Sequence, residues 1–126
     1  MPKESEVEER LREHLAGLGF EVKARTSKHG VDITASKDGR DHYIEVEGST
    51  KPDGSPLASN QKYTHLLRAV GQLCLRLHDN PDAVLGLALP EDDYYRKKVD
   101  ELQIALKRLD VTVYFVDSDG RVEGKP

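Results

Sequence analysis

Val31-Asp32-Ile33-Thr34-Ala35-Ser36-Lys37-Asp38-Gly39-Arg40-Asp41-His42-Tyr43-Ile44-Glu45-Val46-Glu47-Gly48 contains two runs rich in β-branched and aromatic residues, with Asp38-Gly39 between them. That dipeptide readily forms a two-residue type I′ turn, so the stretch predicts a β-hairpin. Antiparallel pairing about the turn sets Ser36 opposite Asp41, Thr34 opposite Tyr43, Ile33 opposite Ile44 and Asp32 opposite Glu45. Side chains alternate along a strand, which sends Val31, Ile33, Ile44 and Val46 to one face and Asp32, Glu45 and Glu47 to the other. Like charges placed opposite each other destabilise a sheet. A divalent cation reverses that penalty, because clustered hard oxygens are what Mg²⁺ or Mn²⁺ requires. The hairpin therefore reads as a metal site. The competing reading is a solvated hairpin carrying ordinary surface acids, and a slip of one residue in register would separate Asp32 from Glu45.

The whole chain bounds what surrounds this hairpin. Its 126 residues suit one domain, 1–126, with a single core, and 33% charged against 37% hydrophobic residues makes it polar but globular. One cysteine, Cys74, excludes an internal disulfide and suits a reducing compartment. No apolar run reaches the length of a membrane span, and the Lys/Glu-rich start lacks the apolar region of a signal peptide. The expectation is a cytoplasmic protein with no membrane partner. A net charge of −4 argues against a general nucleic-acid coating protein but permits a local basic surface.

Upstream of the hairpin, Glu4 to about Gly17 is helical, with Val7, Leu11, Leu15 and Leu18 on one apolar face and Gly17 and Gly19 as the stop. Ser5 or the polar residues before it provide the cap. Glu8 flanks the stripe within about 60° of Leu11, whereas Glu9 and Glu13 project nearly opposite. Glu8 is thus the helix carboxylate best placed to reach a sheet, or an ordinary boundary residue. Phe20 to Ala24 is a short strand, and the loop after it sets Lys23, Arg25, Lys28 and His29 ahead of Asp32. Cations beside carboxylates suit a phosphate backbone as well as they suit a solvated loop.

Downstream, Gly48 to Pro56 cannot continue the strand and reads as a substrate-facing flap. Asn60 to His78 forms a second helix, with Tyr63, Leu66, Leu67, Val70, Leu73, Cys74 and Leu77 on its apolar face, Cys74 as a buried small hydrophobe. His65, Arg68, Gln72 and Arg76 make a separate stripe, nearly free of acids, whose donors suit phosphates or metal-bound carboxylates. Ala83 to Leu89 is a strand buried on both faces, ended by Pro90. Glu91 to about Leu109 is a third helix with Val99, Leu102, Leu106 and Leu109 inward. Val111 to Val116 is another strand, and Asp117-Ser118-Asp119-Gly120 turns into a polar tail. The order α, three strands, α, strand, α, strand predicts an α/β fold with a mixed sheet flanked by helices on both faces.

With these motifs in place, the chain resembles the PD-(D/E)XK nuclease superfamily. The likeness rests on Glu8 in the first helix, Gly30-Val31-Asp32-Ile33, Ile44-Glu45-Val46-Glu47-Gly48 and the following helix with Gln72. It covers roughly the first 90 residues, and the spacing from Glu8 to Asp32, with Gly19-Phe20, is similar to that of archaeal-type Holliday-junction resolvases. The resemblance implies a restriction endonuclease-like αβββαβ core, with the last helix and strand as a C-terminal αβ extension. It implies Mg²⁺, with Mn²⁺ as substitute, held by Asp32 and Glu45, with Glu8 as a further or water-mediated ligand. It implies a catalytic set of Asp32, Glu45 and Glu47 and hydrolysis of a DNA phosphodiester. Lys28, His29, Lys51, Lys62, His65, Arg68, Gln72 and Arg76 are then the candidate nucleic-acid contacts. The family usually has Lys two residues after the second carboxylate, and this chain has Glu47. Some restriction enzymes resemble it there, with the carboxylate as base or metal ligand, and Lys51 or Lys62 is a candidate displaced cation. The alternative is a catalytically inactive member that binds nucleic acid or a protein partner; a blander one is an interaction domain whose acids are incidental. No specificity module accompanies the core, so a homodimer or a separate partner is expected to supply target choice.

Overall fold

The computed structural model describes residues 2–24 and 32–124. Lys28 and His29, together with Arg25 and Val31, lie outside them. The described chain runs α1 (Glu4–Gly17), β1 (Glu21–Val22), β2 (Ile33–Lys37), β3 (Arg40–Val46), α2 (Ser59–Asp79), β4 (Val84–Pro90), α3 (Asp93–Glu101), α4 (Gln103–Arg108), β5 (Val111–Val116) and β6 (Val122–Glu123). The strands form one mixed sheet in the order β1-β2-β3-β4-β5-β6. β3, β4 and β5 are parallel neighbours, while β1–β2, β2–β3 and β5–β6 pair antiparallel.

The hairpin has the register its turn requires. Asp38 and Gly39 take φ of 53° and 79°, the left-handed pair of a type I′ turn. Lys37 then pairs with Arg40, Ser36 with Asp41, Thr34 with Tyr43 and Ile33 with Ile44. Alternation along β3 splits the core into two layers. Ile44 and Val46 pack with Val7, Leu11 and Leu15 of α1. Tyr43 joins the opposite layer, where Leu66, Ala69 and Leu73 of α2 meet Leu85, Leu87 and Leu89 of β4 and Tyr95 of α3. Gly86 keeps the first layer closed at the middle of the sheet, since a Cβ there would lie 2.8 Å from Ile44 Cγ1.

Several elements differ from the sequence reading. Cys74 is exposed, not buried, because successive helix residues stand about 100° apart and the burial of Leu73 turns its neighbour outward. Tyr63 and Leu67 are likewise exposed at 44% and 41%, so the apolar arc of α2 is wider than the surface the sheet covers. Leu18 is also exposed, beyond the last buried turn of α1. Ser5 does not cap α1; Lys3 stands at that position without a side-chain bond, its backbone bridged to Thr50. The third helix starts at Asp93, because the Asp92 carboxylate caps it by accepting from Tyr95 N at 2.8 Å. It also divides at Leu102, which closes α3 and opens α4, so that Leu106 turns inward while Ile104 is 69% exposed. Pro90 ends β4 as its last residue, where the sequence reading sets it after the strand. The polar tail returns as β6, paired with Phe115 and Val116.

A candidate metal and nucleic-acid site

Asp32 stands immediately before β2, Glu45 near the end of β3 and Glu47 just beyond it. The Asp32 Oδ2 accepts a hydrogen bond from Val46 N at 2.8 Å, which fixes its carboxylate against the end of β3. Glu45, only 9% exposed, shares a side-chain hydrogen bond with Asp32. Burial raises the Glu45 carboxyl to about 8, and the Asp32 bond and charge and the Glu47 charge push the same way. Glu47 is held by its own amide, which donates to Ala88 O at 3.0 Å. Its carboxyl is also raised to about 8, by burial first and then by the charges of Glu4 and Asp32. The alternation read from the sequence thus brings Asp32, Glu45 and Glu47 together, and burial penalises the ionisation of the two glutamates. Positive charge relieves that penalty.

The positive charge comes from α2. His65 Nδ1 lies 3.7 Å from Glu47 Oε2. Arg68 favours the ionised form of Glu47, and Arg76 that of Glu45. Gln72 lies between them, half-buried on the same flank. Two lysines fall elsewhere. Lys51 is exposed in the turn closed by Gly54 N to Lys51 O at 2.9 Å. Lys62 is buried, with Nζ 2.9 Å from Asp92 Oδ2, so its charge is committed to that carboxylate. The segment expected as a flap is fixed at its start, where Gly48 and Ser49 are buried, and exposed from Lys51 to Gly54 and again at Pro56.

Helix α1 reaches the site in two ways. Glu8 Oε2 accepts from Arg12 Nε at 3.0 Å, and Arg12 Nη2 donates to the Asp32 carbonyl at 3.0 Å. Arg12 Nη1 also donates to Lys23 O at 2.8 Å, so one guanidinium joins α1 to the chain on both sides of residues 25–31. Glu4, one turn before Glu8, is the α1 carboxylate whose charge acts on Glu47. A cavity of about 530 Å³ lies alongside, lined by Glu4, Glu8, Arg12, Thr50 and Pro52 among others. It borders the carboxylates rather than containing them. Arg12 and Glu4 escaped the sequence reading, although their four-residue spacing from Glu8 placed them on the same helix face.

Among the described residues, no three His, Cys, Asp or Glu side chains form a group able to hold a metal ion unaided. Mg²⁺ does not need one, because it is usually held by one or two carboxylates, keeping several waters and taking substrate phosphates as further ligands. The Asp32–Glu45 pair, two hard oxygen donors joined only by a shared hydrogen bond, fits that demand.

No protein-family model matches the chain, and no curated protein matches it. Two solved structures share its fold. One is an XisH family protein from Nostoc punctiforme, with a TM-score of 0.65 and 15% identity over 96% of this chain and 99% of that one. The other is an fdxN element excision controlling factor protein from Anabaena variabilis, with a TM-score of 0.64 and 19% identity over 94% and 96% of the two chains. No described helix is long and apolar enough to cross a membrane.

Proposed function

We propose that this chain is a metal-dependent nuclease of restriction endonuclease-like fold that hydrolyses DNA phosphodiester bonds. The carrying observation is the convergence of Asp32, Glu45 and Glu47 where burial raises both glutamates to about 8. Strongly shifted carboxyls gathered in one place are a common mark of a functional site, and a cation would relieve the cost of ionising them. The resemblance of the Glu8, Asp32 and Glu45-Val46-Glu47 motifs to PD-(D/E)XK nucleases supports the same reading. A structural neighbour named for control of element excision supports a nucleic acid as the target.

In this reading Asp32 and Glu45 hold Mg²⁺ or Mn²⁺, with Glu8 acting through a water. The bound ion supplies Lewis-acid polarisation of the phosphate and a lowered pKa for the attacking water. Glu47, ionised once a cation is bound, would accept the proton that the water loses as its oxygen bonds to phosphorus, and the bridging ester oxygen would leave with the bonding pair and take a proton from solvent. His65, beside Glu47, orients that carboxylate. Arg68 and Arg76 neutralise the phosphates on either side.

One observation favours a second reading, that of an inactive domain which binds nucleic acid or a partner. Glu47 occupies the usual lysine position, and the buried cation nearest in sequence, Lys62, is committed to Asp92. Cleavage assays on linear, single-stranded and branched DNA with Mg²⁺ and Mn²⁺ separate the two. We expect Mn²⁺-dependent cleavage by the wild type, lost in Asp32→Asn and Glu47→Ala and not improved in Glu47→Lys. A silent wild type beside an active Glu47→Lys would decide for the inactive domain.

A further inference from the structure

Immediately after Glu47 the chain passes between the two layers of the fold and is gripped from both sides. On the α1 side, Ser49 N donates to Pro2 O at 3.1 Å. On the other side stands a buried polar cluster that the proposed chemistry does not use. Asp92 Oδ2 accepts from Ser49 Oγ at 2.6 Å and from Lys62 Nζ at 2.9 Å, while Oδ1 accepts from Tyr95 N at 2.8 Å. Tyr95, fully buried, donates its hydroxyl to Gly48 O at 2.9 Å. Ser49, Lys62 and Asp92 are 1%, 8% and 7% exposed.

A buried ion pair of this kind is a poor source of net stability, because desolvation offsets much of the attraction. What it supplies is geometry. Both Asp92 oxygens are engaged, so the carboxylate has one position, and Ser49 is drawn to it. The Tyr95 hydroxyl fixes the preceding carbonyl. The Gly48–Ser49 peptide is therefore held through its carbonyl by Tyr95 of α3, and the Ser49 side chain by the α3 cap Asp92, although neither supplies a group to the bond of Glu47 N with Ala88 O.

We propose that Asp92 and Tyr95, with Lys62 as counter-ion, are positioning residues for Glu47: they fix the Gly48-Ser49 backbone and thereby hold the Glu47 carboxylate beside Asp32 and Glu45. The proposal rests on the reading of Glu47 as a working residue of the site, but its test does not.

Amide hydrogen exchange of the metal-free full chain, resolved by residue, compares wild type with Tyr95→Phe and Asp92→Asn. Phe keeps the ring and loses only the hydroxyl, and Asn keeps the helix cap while removing the charge. We expect the Glu47 and Ser49 amides to exchange about fivefold to tenfold faster in both variants, the size expected from one lost hydrogen bond. The Leu85 and Leu87 amides of β4 should keep wild-type rates. Unchanged exchange at Glu47 and Ser49 overturns the proposal, and so does equal acceleration throughout β4, which would make the cluster an ordinary part of the core. Mn²⁺ calorimetry on the same proteins tests the metal site separately. A wild type without binding heat refutes the metal reading and leaves the exchange result to decide the positioning claim. If the wild type binds, Tyr95→Phe should bind about tenfold more weakly, because Glu47 no longer sits beside the Asp32–Glu45 pair, and wild-type affinity in that variant overturns the positioning claim.

Discussion

Glu8 and Arg12 show how a helix one layer away contributes to a sheet-edge site. The Glu8 carboxylate holds Arg12 at 3.0 Å, and Arg12 holds the Asp32 carbonyl at the same distance. Removing the Glu8 charge therefore acts on Asp32 even if Glu8 never touches an ion. Glu8→Gln should weaken Mn²⁺ affinity about tenfold, the usual cost of losing a supporting partner. Glu9→Gln, an exposed neighbour on the same helix, should leave it unchanged, and matched calorimetric isotherms for the two variants would refute the role given to Glu8. The opposition of Asp32 and Glu45 was legible in the sequence because a two-residue turn fixes register by steric necessity, and register fixes faces. The partners of Lys62 were not. Asp92 and Lys62 are 30 residues apart, and no periodicity shows that a lysine at the edge of an apolar stripe will be drawn inward by a helix cap formed on another element.

Helix α2 carries the division of labour between fold and site. One flank buries Leu66, Ala69 and Leu73 in the core. The adjoining flank presents His65, 3.7 Å from Glu47, together with Arg68 and Arg76, whose charges act on Glu47 and Glu45. Both stripes were readable from spacing, but which of them met the carboxylates depended on how β3 and β4 sit beside the helix. If the basic flank also meets phosphates, replacing Arg68 and Arg76 by Ala removes about two counterion-releasing contacts. The slope of log affinity for duplex DNA against log salt should then flatten by about 1.8. An unchanged slope returns this flank to neutralising the carboxylates alone. Two glycines test the packing of the same elements. A Cβ on Gly48 would lie 2.3 Å from the backbone nitrogen of Glu4, whereas one on Gly71, within α2, meets nothing within 4 Å. Gly48→Ala should thus cost about 1–3 kcal/mol or more by displacing the start of α1. Gly71→Ala should gain about 1 kcal/mol from helix propensity, both read from urea midpoints.

For the whole molecule, the site's charges make stability depend on pH, and the proposed metal binding would make it depend on divalent ions as well. Glu45 and Glu47 hold their protons up to about 8 when folded, against about 4.5 when unfolded. Between those values the folded state binds more protons than the unfolded state, so stability falls as pH rises through the window and levels off above it. The protonated glutamates thus stabilise the fold fully only below about 4.5, and the loss on the way to pH 8 is on the order of a few kcal/mol. His42 opposes this in the lower part of the window. Burial, followed by the Arg40 charge, lowers its pKa, so its contribution increases as pH rises toward the ordinary histidine value of 6.5. From 6.5 to 8 that opposing effect fades and the glutamates dominate. In EDTA, the urea midpoint of the wild type should fall across that range, and that of Glu47→Gln should fall less. Saturating Mn²⁺ should raise the wild-type midpoint at pH 8 more than at pH 6.5, because the ion displaces protons that are already leaving. Identical pH profiles for wild type and Glu47→Gln would remove Glu47 from the titrating set, and with it the physical case for a cation at this edge of the sheet.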